Sequence, residues 1–218
     1  MRGLVRPLVA VLAIAGATWF VALHALPRVV MRVAMSRIRG ATLAEARAAS
    51  DPVAPSASTP GAAPSAASRR IEPSLAATIL ERDGWNVALA APPTTSDSRT
   101  IVRPSPDLLS VACVYDLSKG PVLVRAPRTP TYLSLSAFAD DTDNFVAVND
   151  RAPGTEGPAL LLVPPGDTRP APASAAGATR VESPSLRGIA LARVRVDHPD
   201  RLRELVALQR QVTCEPVR

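Results

Sequence analysis

The chain has 218 residues, two cysteines and a net charge of +6, and that charge is placed unevenly. Residues 1–50 hold seven arginines and a single acid, Glu45, whereas residues 51–218 balance 18 basic against 18 acidic side chains. A neutral folded part lacks the positive face that nucleic-acid binding requires, and basic residues flanking apolar sequence point to lipid instead.

From Leu8 to Leu26 no charged residue interrupts an apolar run. As a helix it measures about 28 Å, close to the hydrocarbon thickness of a bilayer. A cleaved signal peptide has a shorter core followed by a small-x-small site, and the LPRVVMRVAMSR that follows Ala25 offers none. The run is therefore expected to stay as a transmembrane anchor, its partner the lipid bilayer. His24 is the one titratable group inside it, near enough to its end to reach the interface. Past the span, Arg28, Arg32 and Arg39 fall near one helical face with Val29, Val30, Val33 and Ile38 between them. That pattern fits a short amphipathic helix lying on the membrane surface, or the same helix continuing for three turns with solvated arginines. Arginines flank the span on both sides, so the positive-inside rule does not orient it.

Residues 1–50 thus read as anchor and basic juxtamembrane helix. Residues 51–68, DPVAPSASTPGAAPSAAS, read as a linker, because Pro, Ala and Ser bury too little surface to offset ordering entropy. Residues 69–218 are long enough for one complete core. The expected fold of this part is mainly β (α+β): an antiparallel sandwich or barrel with a C-terminal amphipathic helix. The strand-like runs are Leu108–Tyr115, Pro121–Arg125, Tyr132–Phe138, Phe145–Asn149, Leu160–Val163 and Gly188–Val196, each bounded by Gly, Pro, Asp or Asn. A short helix is expected over Ser74–Asp83, with Ser74 as cap and Gly84 as stop. A second follows Asp197, with Pro199 in its first turn and an apolar stripe of Leu202, Leu205, Val206 and Leu208. Residues 167–180, rich in Pro, Ala and Gly, are expected to form a long mobile loop.

Inventory excludes most catalytic constellations. His198 is the one histidine beyond the span, beside Pro199 and far from any nucleophile-elbow pattern. There is no Cys/His zinc set, phosphate-binding loop or dinucleotide fingerprint. What remains is acidic: Asp140, Asp141, Asp143 and Asn144, then Asn149 and Asp150. Carboxylates at this density can hold a divalent cation, with Asp140, Asp141 and Asp143 as ligands. Together with Asp107, the residues Asp143 and Asp150 can also supply a general acid and base if burial separates their pKa values. The simpler reading is that Asp and Asn form turns between strands, and it is preferred here. Arg99, Arg103, Arg125 and Arg128 could form an anion-binding face, although acids balance them and solvated arginines are the plainer reading. Cys113 and Cys214 can be a disulfide or two buried thiols; the bonded form is the expectation, for a domain outside the cytosol.

The stretch VRPSPDLLSVACVYDLSKGPVLVRAP, followed by YLSLSAFADDTDNFVAVNDR, resembles the bacterial domain-of-unknown-function family 1254 in its small membrane-anchored form. ALPRVVMRVAMSRI after the span resembles that subgroup too. The resemblance implies an envelope protein of the bacterial inner membrane, single-pass, with its C-terminal domain periplasmic. It also implies a partner carrying a domain of the related family 1214, expected on a separate polypeptide. The chain departs from the pattern at Ser110-Val111, where the family tends to have Tyr-Ser, and at Leu133, where it tends to have an aromatic. Both departures imply an altered ligand pocket. The expectation is a non-catalytic binding or assembly domain without a cofactor. The alternative is a carboxylate- or divalent-metal-dependent hydrolase, or half of one, built on the acidic cluster.

Overall fold

A computed structural model of the protein describes residues 2–50, 71–94, 105–151 and 156–217, with side chains from residue 9 on. The linker expected over 51–68, and Arg99 and Arg103, lie outside the described residues.

Helix α1 runs unbroken over Arg2–Ser50, passing through Pro27. Its apolar part is exposed on every side: Val9, Leu12, Ile14, Phe20, Val21 and Leu26 are all more than half exposed. This stretch is long and apolar enough to cross a membrane. Beyond Pro27 the exposure becomes one-sided. Met31, Met35, Thr42 and Ala46 are buried and Ile38 is half-buried, a spacing that keeps all five on one helical face. That face packs on the β domain and on α2 (Pro73–Glu81). The helix thus continues past Pro27 with Arg28, Arg32 and Arg37 exposed, as in the second of the two readings, and in addition packs one face on the domain. Of the apolar residues the sequence placed between the arginines, Ile38 is half-buried against the domain, whereas Val29, Val30 and Val33 stay exposed.

Two sheets form the domain. The five-stranded sheet has the order β1-β2-β8-β4-β5, built from Ala88–Ala90, Leu108–Asp116, Arg187–Arg195, Leu133–Phe138 and Asn144–Asn149. The four-stranded sheet has the order β7-β6-β3-β9, built from Thr179–Glu182, Ala159–Val163, Val122–Arg125 and Thr213–Pro216. All pairings are antiparallel except β6 with β7. Alternation in β2 sends Leu109, Val111, Cys113 and Tyr115 inward, where they meet Leu133, Leu135, Ala190, Ala192, Val122, Val124, Leu160 and Leu162. The disulfide Cys113–Cys214 crosses this core from β2 to β9, with Cα atoms 6.4 Å apart.

Both sheets are covered on part of their outer face. Val114, Ile189 and Phe138 form a row across β2, β8 and β4, and Met31 and Met35 of α1 lie over it. Fully burying a side chain of this size contributes about 1.5–3 kcal/mol. On the other sheet, Leu123, Leu161 and Val163 pack against Ala175 and Ala178. Those alanines belong to the 167–180 stretch expected to be a mobile loop. It is instead pinned, through a short turn at Ala173–Ala175 and through the Arg125 guanidinium, which donates to the carbonyls of Ser174 and Ala176 at 2.9 Å each.

The expected helices are present with different ends. Helix α2 starts at Pro73 after Glu72, and Ser74 is not its cap. The backbone N–H of Gly84, at φ 71°, closes it by donating to Ile79 O at 2.9 Å. Asp197 pairs with Arg201 at 3.4 Å rather than capping, and a single turn at Pro199–Arg201 leads into α3 (Leu202–Gln209). Leu205 of α3 enters the main core, and the Gln209 amide donates to the carbonyls of Ala91 and Ser110, joining the tail of β1 to β2.

Candidate functional site

The structure separates the acidic candidates. Asp107 is exposed in the turn before β2, and its carbonyl accepts from Val196 N at 2.8 Å, beside the C-terminal end of β8. Asp140, Asp141 and Asp143 lie in the β4–β5 hairpin, at the opposite end of β8, where Phe138 faces Ile189. Residues 189–195 of β8 span about 20 Å at 3.3 Å per residue, so Asp107 and Asp143 do not share a site. Within the hairpin the side chains serve the turn. Asp143 N donates to Asp141 Oδ1 at 3.2 Å, Asp140 N donates to Ser185 Oγ at 3.0 Å, and Thr142 takes φ 76°. Among the described residues no group of three His, Cys, Asp or Glu side chains is placed to hold a metal ion.

Asp150 differs from the others in being buried. Its Oδ2 accepts from Thr129 Oγ1 at 3.1 Å, its backbone N–H donates to Leu133 O, and Arg151 stands 3.9 Å from Oδ1. It closes the far end of the β4–β5 pair, where Leu133 begins β4.

A concave surface lies elsewhere, between α1 and the end of the five-stranded sheet. It is a cleft of about 690 Å³, with Arg28, Arg32, Met35, Ser36 and Arg39 on its helix wall. Trp85, Ser118, Asp140, Ser185, Leu186 and Arg187 face them from the domain. Trp85 sits between two guanidinium groups, Arg39 at 4.1 Å and Arg187 at 4.9 Å from its ring centroid. Asn86 anchors the tryptophan's neighbouring backbone. At φ 54° its side chain accepts from Asp116 N at 2.8 Å and donates to Asp116 O at 3.1 Å, extending the strand pairing beyond β1.

Each stacked arginine has its own acid. Arg39 pairs with the Asp83 carboxylate and donates to the Asp83 carbonyl at 2.9 and 3.1 Å. Arg187 Nε donates to Asp116 Oδ2 at 2.9 Å. Burial works to raise the Asp116 pKa, but hydrogen bonds from Ser118 and the Arg187 guanidinium outweigh it and hold the carboxyl below its ordinary value. Among the described residues Arg28 and Arg32 have no such acid: Arg28 donates to the carbonyl of His24 at 2.7 Å, and Arg32 has no hydrogen-bond or ion-pair partner there. The periodicity after Pro27 was the one sign of this cleft in the sequence. Nothing local marked Trp85 or Arg187.

Behind the cleft, buried Tyr115 donates to the Phe138 carbonyl at 3.0 Å and lies 3.0 Å from the Ser183 hydroxyl. Burial foremost, with Asp140 and Asp141 adding to it, pushes the phenol above its ordinary pKa against the lowering effect of the serine hydrogen bonds. It stays a neutral donor.

These features define a two-sheet β domain with a long apolar N-terminal helix docked on one sheet and a basic cleft at their junction. The chain belongs to the family described as protein of unknown function DUF1254, whose family model matches residues 86–216. Among solved structures it is similar to the VPA0106 protein of Vibrio parahaemolyticus at 17% identity and TM-score 0.47, covering 64% of this chain and 32% of that one. It is also similar to a putative uncharacterized protein of Burkholderia cenocepacia at 15% identity and TM-score 0.39, covering 62% and 35%. The chain thus spans about a third of the length of those structures. No curated protein matches it.

Proposed function

We propose that this DUF1254 protein is a single-pass protein of the bacterial inner membrane with its β domain on the periplasmic side. In this reading the domain is a non-catalytic binding or assembly module that works with a second envelope protein, such as one carrying a family 1214 domain. The observation that carries the reading is the continuity of α1. One helix is apolar all round over the span and one-sided from Met31 onward, so the membrane segment and the domain's cover are the same rigid element. A disulfide across the two sheets suits an oxidising compartment. The carboxylates being spread over both ends of β8 favours binding over acid–base chemistry.

The test is a crosslinked pull-down of the tagged full-length protein from solubilised membranes, identified by mass spectrometry. A stoichiometric envelope partner supports the reading. Recovery of the chain alone from crosslinked cells counts against it, as does turnover of substrate by the purified protein.

A further inference from the structure

We propose that the cleft between α1 and the five-stranded sheet seats the phosphate of an anionic phospholipid headgroup, an inference that rests on α1 crossing the membrane. Position is the first argument. Along the helix axis Arg28 lies about 3 Å and Arg32 about 9 Å beyond Leu26, at 1.5 Å per residue. The polar layer of one leaflet is about 5–8 Å thick, so the two guanidinium groups bracket the level of the lipid phosphates.

The second argument is the state of the charges. Arg28 and Arg32 are one helical turn apart on the same wall, are exposed, and lack a carboxylate partner. Arg39 and Arg187, on facing walls of the cleft, are already neutralised by Asp83 and Asp116 and stacked on Trp85. The site therefore has two arginines already paired with acids and, toward the proposed membrane side, two with no ion-pair partner among the described residues. Guanidinium pairs of this kind recognise phosphate by charge-assisted, forked hydrogen bonds.

The third argument is shape. A volume of about 690 Å³ falls in the range of small-ligand sites, about 300–1,000 Å³. The domain residues Pro184, Ser185, Leu186 and Ser118 close the side opposite the helix, so the groups face a recess rather than an open helix surface. Asp140 at the rim disfavours a ligand with more negative charge than a phosphodiester, which selects for a singly charged headgroup.

The experiment is native mass spectrometry of the full-length protein in detergent, offered phosphatidylglycerol and phosphatidylcholine with identical acyl chains at equal concentration. Phosphatidylcholine carries the same phosphodiester, but its choline cation is repelled by the arginine pair, so phosphatidylglycerol is expected to be retained about tenfold over it. Arg28→Gln with Arg32→Gln should bring the two lipids to parity. Arg37→Gln with Arg47→Gln makes the same change in net charge outside the cleft and should leave the preference intact. Parity in the unaltered protein, or equal loss in both double variants, overturns the proposal. Release of phosphatidylglycerol by an equal concentration of inorganic phosphate overturns the lipid assignment and makes the ligand a soluble phosphate. Failure of the membrane-spanning reading is seen separately, because a chain cleaved after the span shows a lower mass before any lipid is counted.

Discussion

Tyr115 and Gly188 stand directly opposite each other in the β2–β8 register, and the tyrosine hydroxyl occupies the space a Cβ at position 188 would need. A methyl group there would lie 2.3 Å from that hydroxyl and 2.1 Å from the Phe138 carbonyl. Gly188→Ala is expected to destabilise the protein by about 1–3 kcal/mol in denaturant unfolding. Adding Tyr115→Phe should recover only part of the loss, since the Phe138 carbonyl and the ring Cζ, 2.6 Å from the added methyl, both stay. Full recovery would mean that the backbone contact is not felt.

The disulfide gives a second prediction. Cys113 and Cys214 are 101 residues apart, and closing a loop of that size stabilises by up to about 4–5 kcal/mol on the chain-entropy account. Unfolding with and without a reductant that opens the bond should differ by an amount of this order. Thiols alkylated in native protein from cells would remove the bond, and with it one support for a periplasmic domain.

Docking of α1 is tested by Met35→Ala. Met35 is buried against Val114 and Ile189 rather than facing solvent. Truncation of a packed methionine costs about 2–5 kcal/mol. The melting temperature should fall by several degrees, and an unchanged value would detach the helix from the sheet.

The aspartates divide by burial. Asp150→Ala removes one of the two acceptors of Thr129 Oγ1, which still donates to Thr131 O at 2.9 Å, and should cost about 0.5–1.5 kcal/mol. Asp107→Ala and Asp143→Ala, at exposed turn positions, should leave the melting temperature nearly unchanged. The reverse order would contradict the placement of these residues.

Asp167 supplies a pH prediction. Hydrogen bonds from Arg169, with the charges of Arg169 and Arg180 beside it, lower its pKa to about 2. A carboxyl depressed on folding adds stability above its ordinary pKa, and that stability is lost as pH falls from about 4 toward about 2. NMR titration of the Asp167 carboxyl should show the low midpoint, and Arg169→Ala should return it toward the ordinary value.

The sequence pattern located β2, β3, β4, β5, β6 and β8 to within one residue at each end, because their interiors alternate and their ends carry turn formers. It missed β1, β7 and β9, strands of three or four residues whose pairing comes from their neighbours. Cys113-Val114-Tyr115 held a clue that went unused. Three consecutive buried residues mean that both faces of the strand are covered, and α1 is what covers the second. Met31, Met35 and Ile38 form a stripe that reads the same whether it meets lipid or a sheet; the strand residues Val114 and Ile189 that meet the two methionines lie far along the chain. For the same reason only the helix wall of the cleft had a sign in the sequence, since Arg28 and Arg187 come to line one cleft only after folding. The hairpin aspartates, by contrast, could be recognised as turn residues from local sequence alone.

An unbroken α1 also gives the domain a fixed azimuth. Each residue advances an α-helix by about 100°. On the proposed reading that α1 crosses the membrane, one residue inserted between Leu26 and Met31 would swing the whole sandwich by more than a quarter turn about the helix axis, presenting a different side to any neighbour in the bilayer. Four inserted residues would restore the bearing to within about 40° while lifting the domain by about 6 Å. Height and heading are coupled in this protein like the pitch of a screw.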